Sequence, residues 1–199
     1  MNVPAGLSSV VFMETAAAWA RDLARTLLAD QLPRRWAHVQ GVAARARTLS
    51  QSIDVGLIEA AAWLHDVGYH PQLAMTGFHP LDGARYLRHY QQADPMLCRL
   101  VAHHSSAVIE AEERGLAATL LREFAPPPRE LADALTFCDM TTSPDGEHVQ
   151  VTDRLAEIHD RYGPGHLVSR SIRRATPLIL QAVSHIEAPG KQTHSSQVR

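Results

Sequence analysis

Apolar residues recur every three or four positions along nearly the whole chain, and no stretch alternates with a period of two. Ala16, Trp19, Ala20, Leu23 and Leu27 form one such stripe, with Glu14, Arg21, Asp22 and Arg25 lying off it. Val39, Val42, Ala43, Ala46 and Leu49 form the next, behind Pro33 as a first helical residue. Asp54 is placed to cap a third helix carrying Leu57, Ala61 and Leu64, which Gly68 and Pro71 stop. Pro80 and then Asp94-Pro95 start two more, and Gly115 divides the segment from Ala107 to Phe124. After the rigid spacer Pro126-Pro127-Pro128, Leu131, Leu135 and Cys138 mark a further helix, closed by the turn Ser143-Pro144-Asp145-Gly146. Thr152 is expected to cap a helix carrying Leu155, Ile158 and Tyr162. A last helix is expected from about Leu167 to Ile186, kinked near Pro177. The chain therefore reads as all-α, one domain over 1–188, with a polar tail over 189–199 expected to be disordered.

A chain of 199 residues has room for a substantial core. A formal net charge of −2 and no basic stripe argue against nucleic-acid binding. Cys98 and Cys138 are too few for a disulfide framework, and neither lies in a CxxC pair. The start, MNVPAGLSSVVF, lacks the pattern of a signal peptide, and no apolar run approaches membrane-spanning length. The expectation is a cytoplasmic protein without membrane or nucleic-acid partners. Basic charge is almost all arginine, with Lys191 the one lysine, so arginine clusters carry less weight as phosphate sites than usual.

Histidine is the unusual component. There are twelve, six of them between His65 and His104. The segment W-L-H-D-V-G-Y-H sets His65 and Asp66 side by side at the end of an apolar run. Helix spacing puts His65 on the face of Leu57, Ala61 and Leu64, and Asp66 beside Ile58 and Ala62. A capping or salt-bridge role would account for an isolated pair. An unpaired carboxylate at a buried edge is costly, whereas a metal ion accepts both a neutral imidazole and an ionised carboxylate. Other helices offer partners. His38 borders the stripe of Val42 and Leu49, and Asp139 shares the face of Leu131 and Leu135. His104 continues the stripe of Leu97, Leu100 and Val101, whereas His103 follows Met96 and Arg99, which favours His104 as the inward member. His79 sits before Pro80 at a helix start.

The order His38, His65-Asp66, Asp139 resembles the HD superfamily of metal-dependent phosphohydrolases. R-R-W-A-H-V-Q-G-V-A resembles its first-histidine helix and L-H-D-V-G its paired motif, with the resemblance spanning roughly residues 30–145. F-H-P-L-D-G-A and V-A-H-H-S-S resemble its six-ligand, two-metal branches. The resemblance implies a helical bundle with the metal site in its core, held by His38, His65, Asp66 and Asp139. In the two-metal version Asp66 bridges the ions, and His79 and His104 complete the second site. His103 remains an alternative to His104. Tyr69 departs from the pattern, since many members carry a lysine there.

The implied activity is hydrolysis of a phosphate ester or anhydride in a nucleotide or other small phosphorylated metabolite, through metal-activated water. Asp66 would also orient or deprotonate that water. Arg35, three residues before His38, and Arg154 are candidates for holding substrate phosphate, although a solvated helix surface suits either equally. The donor set suits one or two ions of Fe, Mn, Zn, Ni or Co. Two other classes stay open: an HD-type di-iron oxygenase, and a non-catalytic metal-dependent nucleotide-binding sensor.

Overall fold

Residues 55–64 decide the architecture. In α3 (Val55–Leu64), Ile58 and the run from Ala60 to Leu64 are all buried, so this helix has almost no polar side and must be enclosed. The enclosing elements are α1 (Ala5–Leu28), α2 (Pro33–Ala46), α5 (Pro95–His103) and α8 (Arg129–Met140). A computed structural model describes residues 5–50 and 52–188 of the protein, with side chains from residue 16 onward. α4 (His79–Tyr90) packs on α5; the short α6 (Ala107–Glu113) and α7 (Ala117–Glu123) follow. α9 (Val151–Tyr162) and α10 (Leu167–Glu187) close the other side, with α10 lying along α8. The described residues contain no β-strand; Thr142 and His148 form one isolated bridge. The fold is all-α, as the spacing requires.

The local signals act where expected. Asp54 accepts a hydrogen bond from Leu57 N, and Asp94 accepts from Met96 N and Leu97 N. Pro33 and Pro80 occupy first-turn positions, and Gly115 has a φ of +70° between α6 and α7. Two expectations need correction. Thr152 lies inside α9, whose N-cap is Gln150, an extended residue making no side-chain cap bond. α3 ends at Leu64 rather than at Gly68, because the chain tightens into a 3₁₀ turn over Val67–Tyr69. Pro177 lies within α10, while the tail over 189–199 falls outside the described residues.

Candidate metal centre

The early end of α3 answers how adjacent side chains come to share one cavity. His65 is the C-cap, still helical, while Asp66 sits at φ −100°, ψ 2°, in the bridge region that unwinds the turn. Both leave a helix that is itself enclosed, so both are buried, at 1% and 2% exposure. Gly68 makes the next step: a Cβ there would meet His79 O at 2.0 Å, so only glycine lets α4 approach this turn. That approach puts His79 Nε2 3.3 Å from Asp66 Oδ1.

His38, His65 and Asp139 bring one donor atom each to within 4.8 Å of one another, and Asp66, His79 and His104 do the same. Asp66 Oδ1 joins the two groups, 3.6 Å from His65 Nε2. His103 turns away, its Nε2 2.8 Å from Phe124 O. All six residues proposed as ligands from the sequence thus meet in one place, on or beside α2, α3, α4, α5 and α8.

The hydrogen bonds behind the histidines define their protonation. Nδ1 of His38 donates to Ser143 O at 2.9 Å, of His65 to Ala62 O at 2.8 Å, and of His104 to Val101 O at 2.7 Å. Each carbonyl fixes the Nδ1–H tautomer and leaves an Nε2 lone pair pointing inward. His65 Nε2 is buried without a hydrogen-bond partner. His38 Nε2 faces Asp139 Oδ1 at 3.0 Å, and His104 Nε2 faces His79 Nε2 at 3.1 Å. In the first of these contacts an imidazole lone pair meets a carboxylate, an arrangement that repels unless a cation lies between. The donor set therefore fits a divalent metal: neutral imidazoles, ionised carboxylates, and bonds behind them that hold their orientation.

Ionisation agrees. Burial pushes the His65 imidazole down to about 4, outweighing the nearby carboxylates, so it is neutral at physiological pH. His79 is lowered for the same reason. Burial alone would raise Asp66, but the Arg35 guanidinium, with the His65 and His79 imidazoles beside it, holds it well below the usual carboxylate range. Asp139 is likewise held low against burial, with the His38 and His65 imidazoles against it and the Arg154 charge nearby.

Arg35 Nη1 donates to Asp66 Oδ2 at 2.7 Å, and its guanidinium carbon lies 3.8 Å from the centre of the Tyr69 ring. Arg154 is 5% exposed; Nη1 donates to Glu157, while its Nε is buried without a partner. Both arginines line the cleft of about 660 Å³, part of it open to solvent, that contains the six donors except His65. Thr76, in the loop before α4, does not reach the cleft; it is tied to the buried Asp82 by its N and Oγ1.

One further side chain at the site carries no signal in the sequence. Ser105 donates from Oγ to Asp139 Oδ2. It and Ser106 both adopt left-handed backbone, at φ 48° and 62°. Two consecutive non-glycine residues there store strain of about 1–3 kcal/mol each. The cost falls where the chain must turn sharply after His104, and H-H-S-S contains no glycine to signal it.

The HD domain family model matches residues 35–162, and the chain belongs to this family, one of metal-dependent, hydrolase-type domains. No curated protein and no solved structure matches the chain. Among the described residues no helix is long and apolar enough to cross a membrane.

Proposed function

We propose that this protein is a metal-dependent phosphohydrolase acting on a nucleotide or other small phosphorylated metabolite. His38, His65 and Asp139 would hold one divalent ion, and Asp66, His79 and His104 a second. The observation that carries the reading is the unpartnered, buried Nε2 of His65, aimed at two carboxylates. A divalent ion there would polarise a phosphoryl oxygen and acidify bound water, supplying hydroxide near neutral pH.

The chain's own residues supply the rest. Asp66, kept ionised by Arg35, can orient the attacking water or accept its proton. Arg35 and the free Nε of Arg154 are donors for phosphate oxygens, and both cations offset charge that the substrate brings into the cleft. Ser105 and the Ser143 carbonyl hold Asp139 and His38 in place while this happens. Phosphate release from a panel of phosphate esters and nucleotides, with Mn²⁺, Fe²⁺, Co²⁺, Ni²⁺ or Zn²⁺ added, tests the reading. No release with any pair would sink it.

The adjacency of two donor groups sharing Asp66 also suits a di-iron oxygenase. Substrate-dependent oxygen uptake by iron-loaded protein, without phosphate release, would favour that reading.

A further inference from the structure

Part of the wall of the cleft is apolar. Met140 from α8, Ile158 and Tyr162 from α9, and Val168, Ile172 and Ala175 from α10 line it. Met140, Ile158 and Ala175 are buried, whereas Tyr162, Val168 and Ile172 keep part of their surface open. These side chains belong to an apolar cluster distinct from the main core, anchored by Leu155 and Ile179. Half of the wall comes from α10, which begins after residue 162, where the family match ends.

Four of the polar side chains beside this wall are already engaged with protein partners. Ser171 Oγ donates to Leu167 O, and Ser105 Oγ to Asp139. Glu110 accepts from Arg114, and Arg161 pairs with Glu157. A site that selects hydroxyl-rich groups keeps free donors and acceptors for them, because a hydroxyl buried without a partner loses its bond to water. Apolar lining instead rewards each methylene removed from water.

We propose that this wall receives the organic group of the substrate, and that the preferred substrates are phosphate esters of short apolar alcohols rather than of sugars or nucleosides. The inference rests on the phosphohydrolase reading and narrows it. The phosphate faces Arg35, Arg154 and the donor groups, and the alcohol carbons lie against Ile158, Ile172 and Val168.

The test compares n-butyl phosphate with glycerol phosphate on manganese-loaded protein; the two are similar in length, and glycerol is the better leaving group, so a preference for the butyl ester runs against intrinsic reactivity. The expected result is a kcat/KM about tenfold or more higher for the butyl ester. Ile172→Asn should lower that preference about tenfold, raising KM for the butyl ester more than for the glycerol ester. A thermal-shift titration reads binding without turnover: n-butylphosphonate should stabilise the protein at lower concentration than methylphosphonate does. Equal or better hydrolysis of glycerol phosphate, or an equal loss on both esters in Ile172→Asn, overturns the proposal while leaving the phosphohydrolase intact. Absence of both phosphate release and any phosphonate shift overturns the phosphohydrolase reading and this proposal with it.

Discussion

The Tyr69 ring stacks on the His79 imidazole, with centroids 3.9 Å apart and planes 18° from parallel. Arg35 Cζ lies 3.8 Å from the same ring centre, so imidazole and guanidinium must occupy opposite faces. One side chain thereby spaces a proposed metal donor from a proposed phosphate donor, at the position where the family often carries lysine. A lysine there would place a second cation against Arg35.

The stack, rather than the phenol oxygen, should therefore matter. Tyr69→Phe keeps both contacts, whereas Tyr69→Leu forfeits an aromatic pair and a cation–π contact, each on the order of 1 kcal/mol. Calorimetric titration with Co²⁺ should show wild-type affinity for the phenylalanine variant and roughly tenfold weaker binding for the leucine one. Equal weakening in both would move the role to the hydroxyl.

The two neighbouring histidines separate cleanly. His104 Nε2 joins Asp66 and His79, while His103 Nε2 lies 2.8 Å from Phe124 O. Elemental analysis should find that His104→Ala loses bound metal relative to wild type and His103→Ala does not. Loss in the His103 variant alone would invert the assignment.

The candidate donors are legible in the sequence because their side chains have no inexpensive alternative. A carboxylate on a buried helix face, as at Asp139, and a histidine in an apolar stripe, as at His104, each advertise an unmet need. The relations between elements were not readable. Nothing local says that α3 stops at Leu64, since that depends on the turn that Gly68 packs beneath His79. The contact of Arg35 with Asp66 spans 31 positions, and the α10 wall depends on tertiary packing. Ser105 was hidden for another reason: its strained backbone contradicts the residue type normally found there.

That strain can be tested separately from the hydroxyl. Ser105→Gly removes both the unfavourable φ and the hydrogen bond to Asp139; Ser105→Ala removes only the bond. In metal-free protein the glycine variant should be more stable than the alanine variant by about 1 kcal/mol. Both should bind metal more weakly than wild type, since Asp139 loses its tether. Urea denaturation and Co²⁺ titration read the two effects, and an alanine variant with native metal affinity would show the tether to be idle.

Acid should undo the metal-free fold in a defined order. The folded His65 titrates near 4, because burial outweighs its carboxylate neighbours, against an ordinary value of 6.5. Between these values the unfolded chain binds a proton that the folded chain refuses, so unfolding free energy falls as pH falls. The slope is at most about 1.4 kcal/mol per pH unit for one such group, and His79, shifted the same way, adds to it. Asp66 and Asp139 are shifted below the ordinary 3.8, so their stabilisation is present above that value and disappears as pH falls through their folded values. Urea denaturation of chelator-treated protein at successive pH values should show stability declining from pH 6.5 towards 4 and then falling further. His65→Leu should make the first limb shallower, leaving the share of His79, and keep the second. A wild-type profile that is level from pH 6.5 to 4 would mean that the imidazole is not held neutral in the fold, and the picture of an inward-facing lone pair on His65 would go with it.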